Sequence, residues 1–488
     1  MSVDRVDVGG VEVATGHFIN GERVGSPTTF EDRSPLDWNL KLADVARGGP
    51  PEAAAAITAA RTAYAPWAAL SAVERQGYLH RLADLIDAHV EPLATVECLD
   101  MGMLEESLRL RVIGRAARNF RAYADLAVTH HPRTWTSNST QNAVLRMPAG
   151  PTVVITPWNA PFMLSTWKCA PALAAGNTVI LKPAEWSPLS CSLLMDLVAR
   201  AEFPPGVFNM VQGFGNEVGA ALVSDPRVRR ISFTGSPETG RTIGVLAAHN
   251  LVPFTAELGG KGPMVVFDDA DLELAIEKAA LMYDDAGQVC LAGTRLLVEA
   301  SIRNEFVERL GAATDRLVLG DSRDPLTSIA PLIHPEHLAR VQGFVDRALQ
   351  NGDRLIFGGQ RLRDDGLWFT PTLIEPRAND AEIVQREVFG PVLTIQSFTT
   401  EQEAIELANS TRYGLSAMIF TTSRERADRV GAALRAGTVW VNSYLVRDLT
   451  APFGGMGESG IGREGGEYAL DFYSDLKMYQ VKEGTTYG

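Results

Sequence analysis

The 488-residue chain reads as an α/β protein built on two mostly parallel sheets. Three observations predict this. Short β-branched runs alternate with amphipathic helical patterns from about residue 152 to 248. A second alternating series begins at 263. Between them lies the glycine-rich stretch Gly259-Gly260-Lys261-Gly262-Pro263, which marks a boundary. At 45% hydrophobic and 21% charged, the composition is that of a globular chain, and its length suits two to four domains at roughly 100–200 residues each.

A short β region (VEVATGHFINGERV) opens the chain. Pro51-Glu52 then starts an alanine-rich helix, since proline and an acidic residue favour the first turn. Residues 73–90 place Leu79, Leu82, Ile86 and Val90 at helical spacing. A long helix is expected around 104–130, carrying Arg109, Arg111, Arg115, Arg118 and Arg121; for most of these a solvated face is the expected role. The first sheet should take TVVIT (152–156), NTVIL (177–181), VFNMV (207–211) and RISFT (230–234), with helices near 161–175, 188–202, 216–224 and 237–248. Strand, helix, strand at this rhythm means βαβ crossovers and a parallel sheet, whose strands are buried on both faces. The second sheet should take PMVVF from 263, TRLLV (294–298), GPVLTIQSF (390–398), AMIFT (417–421) and GTVWVN (437–442). Residues 468–482 return to a strand-like pattern and are expected to pair with another segment or subunit.

Forty-five basic residues stand against 59 acidic ones, a net charge of −14. That excludes broad nucleic-acid or anionic-membrane binding, which needs a positive surface, but not an anionic small molecule in a local pocket. Neither a targeting segment nor an apolar stretch of membrane-spanning length is apparent. The four cysteines, Cys98, Cys169, Cys191 and Cys290, are too few and scattered for a disulfide framework. A reducing, cytoplasmic setting is expected.

Chemistry concentrates in a few places. Cys290 in GQVC follows a helix ending in polar residues, where glycine and glutamine leave the backbone open; a thiolate there is a strong nucleophile. Packing in the core is the ordinary role for the other three. Glu257, at a strand end before Gly-Gly, can project into a cleft as a general base, or be an exposed loop carboxylate. Asn159 in PWNAPF follows the strand TVVIT, where ligands of parallel sheets bind. Its amide can hold an oxyanion, or simply make a turn. Gly215 and Gly219 belong to a G-x-G-x-x-x-G run that departs from the dinucleotide fingerprint. Phe233-Thr234-Gly235-Ser236 is better placed, because a strand there meets a helix N-terminus that can take a pyrophosphate. His334 and His337 in HPEH read as a helix start, and no metal is expected.

Taken together, PWNAPF (157–162), KPAE (182–185), FTGS (233–236), ELGGK (257–261), GQVC (287–290), EVFGPV (387–392) and PFGG…SGIGRE (452–464) resemble the aldehyde dehydrogenase superfamily over almost the whole chain. The resemblance implies a fold of three parts: a Rossmann-like NAD-binding domain (1–125 and 145–256), an α/β catalytic domain (257–444), and bridging oligomerisation segments (126–144 and 465–488). A loop at 445–464 borders the substrate mouth. It also implies roles. Cys290 is the nucleophile; Asn159 and the Cys290 N–H hold the oxyanion; Glu257 activates water; Lys168 supports the relay. For the cofactor, Lys182 and Glu185 reach the adenosine ribose, with Ala184 beside them. Ser236, Gly235 and Phe233 lie at the pyrophosphate, and Glu387 and Phe389 at the nicotinamide. Ile155, Thr156, Pro157, Trp158, Leu258 and Gly259 line the cleft. The acidic Glu185 favours NAD over NADP, since it accepts ribose hydroxyls and repels a 2′-phosphate.

The chain departs from common family residues at Gly262, Met264, Leu291 and Gly457-Glu458, none of them catalytic positions. The stretch from Val439 to Tyr479 is similar to the branch acting on 2-hydroxymuconic, 2-aminomuconic and 5-carboxymethyl-2-hydroxymuconic semialdehydes. That similarity implies that Arg447, and by alignment Arg115, face the substrate. The alternative for Arg447 is a structural ion pair with Asp448 or a neighbour. The resemblance further implies a homodimer or homotetramer. Other enzymatic readings are oxidation of aromatic or aliphatic aldehydes, and CoA-dependent acylation, which Glu257 disfavours. A non-catalytic fold member is the reading from another class.

Overall fold

The computed structural model describes residues 4–363 and 366–482. Two large sheets carry the molecule. The first has eight strands in the order Gly460–Ile461, Phe254–Leu258, Arg230–Gly235, Thr152–Ile155, Val179–Lys182, Phe208–Met210, His17–Ile19, Glu22–Val24. Its five strands between 152 and 258 are parallel. The flanking strands run antiparallel. Side chains alternate between two cores, as strand geometry demands. Val153, Ile155, Ile180 and Ile231 pack with Ala53, Ile57 and Ile243 on one face, while Val154, Val179, Leu181 and Phe208 pack with Leu79, Phe120 and Phe162 on the other. Helices cover both faces, which is why these strands are continuously apolar.

The second sheet has seven strands in the order Arg354–Phe357, Thr372–Glu375, Val392–Phe398, Arg295–Glu299, Pro263–Val266, Ser416–Phe420, Thr438–Val441. All its pairs are parallel except the first. The glycine-rich stretch 259–263 links the two sheets.

A third sheet stands apart. Strand Thr140–Pro148 pairs antiparallel with Arg133–Ser137 and with Ser474–Lys482. Residues 126–129, expected in this hairpin, instead finish the helix Ile113–Thr129. The expected single helix over 104–130 is divided: Leu108–Val112 form a wide π-helical turn that buries Leu108 and leaves Leu110 exposed. Residues 468–472, expected as strand, belong to the helix Gly466–Phe472. Gly465 and Gly466 open it with positive φ, and Ala469 and Leu470 bury into the core, so burial overrides the β-like pattern. Residues 483–488 of the expected bridging segment lie outside the described residues. No described helix is long and apolar enough to cross a membrane.

Candidate active site

The residues singled out by sequence come from segments scattered between Asn159 and Arg447, and the two glycines after Glu257 bring several of them together. Glu257 sits in the strand Phe254–Leu258, opposite Thr234 on one side and Gly460 on the other. The chain then turns through Gly259 and Gly260. A Cβ on Gly259 would lie 2.0 Å from Glu387 Oε2, and one on Gly260 would lie 2.7 Å from the Cys290 carbonyl oxygen. Only glycines allow the GQVC and EVFG segments to approach this closely.

Cys290 follows a kinked turn. Asp285, Ala286 and Gly287 all have positive φ, and a Cβ on Gly287 would lie 2.3 Å from Gly390 O. Burial pushes the Cys290 thiol up to about 12, the Glu387 and Glu257 carboxylates push the same way, and Arg447 opposes them. Cys98, Cys169 and Cys191 are fully buried, and burial raises each of their thiols as well. Of the four cysteines, Cys290 alone is partly accessible. Its alkylation by iodoacetamide is therefore expected to speed up by about tenfold per pH unit between neutral and alkaline solution, because only the thiolate reacts. Peptide mapping checks the site, and a rate independent of pH would mean that the thiolate is already formed.

Glu257 is buried, and neither carboxylate oxygen has a hydrogen-bond partner among the described residues. Burial and the nearby Glu464 carboxylate hold its pKa well above the usual carboxylate range, against Lys168, Arg463 and Arg447. A carboxyl group in this state has a base's raised proton affinity and free lone pairs for a water.

Asn159 donates from Nδ2 to the Gln288 carbonyl at 2.8 Å. This ties the turn after strand Thr152–Ile155 to the cysteine loop. The second N–H of the same amide is left for another acceptor.

Lys168 is buried and pairs with Glu464; its Nζ also donates to Ser232 Oγ at 3.1 Å. Trp167 Nε1 donates to the other Glu464 oxygen at 2.6 Å. Glu464 ends the SGIGRE motif, which by itself assigns it no role. No local pattern could assign one, because its partners lie nearly 300 residues away. Removing one member of a pair this deeply buried costs about 3–5 kcal/mol, so the cluster fixes the C-terminal loop on the first sheet.

Among the expected cofactor residues, Ile155, Lys182, Gly235 and Leu258 each end a strand of the first sheet. Lys182 is buried and its Nζ lies 2.9 Å from Glu185 Oε2. Ser236 is exposed and caps the 13-residue helix Pro237–His249, accepting from Thr239 N at 3.1 Å. Nothing lies within 4 Å of a Cβ built on Gly215, whereas Gly219 is buried and gives its N–H to Phe214 O. Trp158 meets Phe389 edge-to-face at 5.3 Å. Thr156 is buried and shares a hydrogen bond with Ser165. Ile155, Ala184, Phe233 and Leu258 are also buried, Pro157 and Gly235 partly so. His334 caps the helix Pro335–Gln350, and His337 meets Phe389 O at 2.7 Å.

Arg447 lies 4.1 Å above the Phe453 ring, and its charge is felt by Cys290, Glu257 and Arg115. Asp448 is occupied otherwise, accepting from the Thr450 N–H and hydroxyl, both at 2.8 Å. Arg115 stacks 5.7 Å over Trp167 and donates to Asn119. Burial and the Arg447 charge lower its pKa to about 10. Neither arginine has a carboxylate partner among the described residues. By contrast, Arg109 and Arg121 on the same helical stretch pair with acidic side chains, as expected of a solvated face.

Comparison with known proteins gives this geometry its context. The model of the aldehyde dehydrogenase family matches residues 23–479. The chain belongs to the aldehyde dehydrogenase family. It is therefore an oxidoreductase acting on small aldehydes. It is 43% identical to 2-hydroxymuconic semialdehyde dehydrogenase of Pseudomonas sp. (strain CF600), over 96% of this chain and 99% of that protein. Identity to the human 2-aminomuconic semialdehyde dehydrogenase is 39%, over 96% and 98%. A solved structure of betaine aldehyde dehydrogenase from Staphylococcus aureus in complex with NAD+ superposes with a TM-score of 0.94 at 37% identity, covering 97% of this chain and 96% of that one. The dehydrogenase fold anticipated from the motifs is the one observed.

Proposed function

We propose that this aldehyde dehydrogenase oxidises a carboxylated, muconic-type semialdehyde to the acid with NAD. The carrying observation is the pair Arg447 and Arg115: two neighbouring guanidinium groups, resting on aromatic rings, near Cys290, with no carboxylate at ion-pair distance among the described residues. Two like charges repel unless an anion joins them, and arginine forks suit a carboxylate. The same charges disfavour a quaternary ammonium substrate such as betaine aldehyde.

The side chains along the cleft fit NAD. Lys182 and Glu185 would hold the adenosine ribose, Ser236 and its helix N-terminus the pyrophosphate, and Glu387, Phe389 and Trp158 the nicotinamide end. When bound, NAD supplies the hydride acceptor. The protein does the rest. Cys290 attacks the aldehyde carbon to form a thiohemiacetal. The Cys290 N–H and the Asn159 amide stabilise the oxyanion, each donor worth about 3–4 kcal/mol. Loss of hydride leaves a thioester. Glu257 then takes a proton from the water that hydrolyses it, and the Lys168–Glu464 pair keeps the surrounding charges fixed. Because Glu257 can serve as a base for hydrolysis, water rather than coenzyme A is the proposed acyl acceptor.

Exposed apolar side chains on the third sheet, Trp135, Leu476, Met478 and Tyr479, support pairing with a second copy. A cytoplasmic location belongs to the same proposal, since a free catalytic thiol needs reducing surroundings.

Arg447→Ala is expected to raise KM for a carboxylated semialdehyde by about 10- to 100-fold, the worth of a charged hydrogen bond, and to spare a neutral aldehyde. Steady-state kinetics on both substrates test this. Equal losses would remove the carboxylate role.

A further inference from the structure

Arg115 is held in place by a buried amide that carries no charge. Arg115 and Asn119 lie four residues apart on the helix Ile113–Thr129, so their side chains share one face. Asn119 is 1% exposed, and its Oδ1 accepts the Arg115 Nε–H at 3.1 Å. The other end of the amide is fixed by the neighbouring helix Pro161–Ala174. Asn119 Nδ2 donates to Thr166 Oγ1 at 3.0 Å and to the Met163 carbonyl at 3.4 Å. The Thr166 hydroxyl spends its own hydrogen on Met163 O at 2.8 Å, so toward Asn119 it offers only a lone pair. A lone pair and a carbonyl both need a donor. That sets the orientation of the amide and turns its oxygen to Arg115.

The guanidinium is thereby held from two directions. Its central carbon lies 5.7 Å from the Trp167 ring centroid, and its Nε is tied to Asn119. Nη1 and Nη2 make no hydrogen bond among the described residues, which leaves the forked end for a carboxylate. The neutrality of the clamp matters as much as its position. Arg309 and Arg424 also have a helical partner four residues away, but theirs are the carboxylates of Glu305 and Asp428. A carboxylate in place of Asn119 would neutralise Arg115 and compete with an anionic ligand. An amide orients the guanidinium and leaves its charge uncompensated. We infer that Asn119 is a positioning residue that determines specificity: it aims the Arg115 fork at the substrate carboxylate without spending the charge. The inference rests on the reading of Arg115 as a carboxylate contact.

The experiment is steady-state kinetics with 2-hydroxymuconic semialdehyde, which carries a carboxylate, and hexanal, which does not. It compares wild type, Asn119→Asp, Asn119→Leu and Arg115→Met. Asn119→Asp sets a carboxylate against Arg115 Nε, and the Thr166 hydroxyl can turn to donate to it. Its KM for the semialdehyde is expected to rise about 10- to 100-fold. Asn119→Leu, similar in size but without an acceptor, frees the guanidinium and raises the same KM about 3- to 10-fold. In both variants kcat on the semialdehyde, and both constants on hexanal, stay within about threefold of wild type. A purely structural role would not give this split, since a loosened helix pair damages both reactions alike. Melting temperatures show which variants are folded, and if Asn119→Asp is not, Asn119→Leu decides by the same split. Equal losses on the two aldehydes overturn the inference, and so does a semialdehyde KM that stays at the wild-type value in either folded variant. Arg115→Met separates the two levels. If its loss is selective for the semialdehyde while that of the Asn119 variants is not, the Asn119 role alone falls. If its loss is not selective, the carboxylate reading of Arg115 falls with it.

Discussion

Cys290→Ala is expected to abolish aldehyde oxidation, with a loss on the order of 10⁴-fold or more in kcat, while NAD still binds. The magnitude follows from the roles. Removing the nucleophile removes every covalent step, and what remains is the binding and oxyanion contribution of Asn159 and the backbone. The other three cysteines cannot replace it, since each is buried and its thiol is pushed up by burial. The structural cost of the change is small, because Cys290 is only partly buried and its sulfur makes no side-chain hydrogen bond among the described residues. NADH formation and NAD calorimetry on one preparation separate lost chemistry from lost folding. Activity within tenfold of wild type would eliminate Cys290 as the nucleophile.

Glu257→Gln should divide the reaction in two. Acylation needs the thiolate and the oxyanion donors; hydrolysis needs a base for water. Removing the base is therefore expected to lower turnover by about 10²- to 10⁴-fold, while one equivalent of NADH still forms rapidly per active site. The trapped thioester adds the acyl mass at Cys290. The buried, donor-free setting of Glu257 makes glutamine a close replacement in shape, and it relieves the repulsion from Glu464. Rapid-mixing absorbance and intact-protein mass measurement give the result. Loss of the burst together with turnover would place Glu257 in acylation instead. Rescue of turnover by coenzyme A would show a thioester open to thiols, and activity of the wild type only with coenzyme A would refute hydrolysis.

Much of this molecule is legible before any coordinates. Strands within the α/β series fall within two or so residues of their sequence positions, because a buried parallel strand announces itself as a short apolar run between turn residues. The motifs carry their local geometry for a similar reason. Ser236 before Pro237 is a helix start on chemistry alone, and Gly259-Gly260 is a place where another backbone comes near. The errors also have local causes. The 104–130 helix is amphipathic throughout, so periodicity gives no sign of the extra residue in the turn at Leu108–Val112. Residues 468–472 are β-like in composition but are drawn into a helix by the burial of Ala469 and Leu470.

What the sequence by itself determined is the list of reactive groups: a cysteine in an open loop, a carboxylate before two glycines, an asparagine after a strand, and an arginine before the PFGG turn. It determined the family as well, through the order and spacing of motifs. Only the tertiary structure decided which charges are paired. Arg447 could have closed on Asp448, one residue away, but Asp448 turns to Thr450 and Arg447 turns to Phe453 and the nucleophile. Glu464 is an ordinary acidic residue until the C-terminal loop crosses the first sheet and seats it on Lys168. Lys261 is an ordinary lysine until the fold buries it with no hydrogen-bond partner for its Nζ among the described residues. The physical reason is common to all three. The strength of an electrostatic interaction depends on distance and on the exclusion of water. Neither is a property of neighbours along the chain; both are set where distant segments meet.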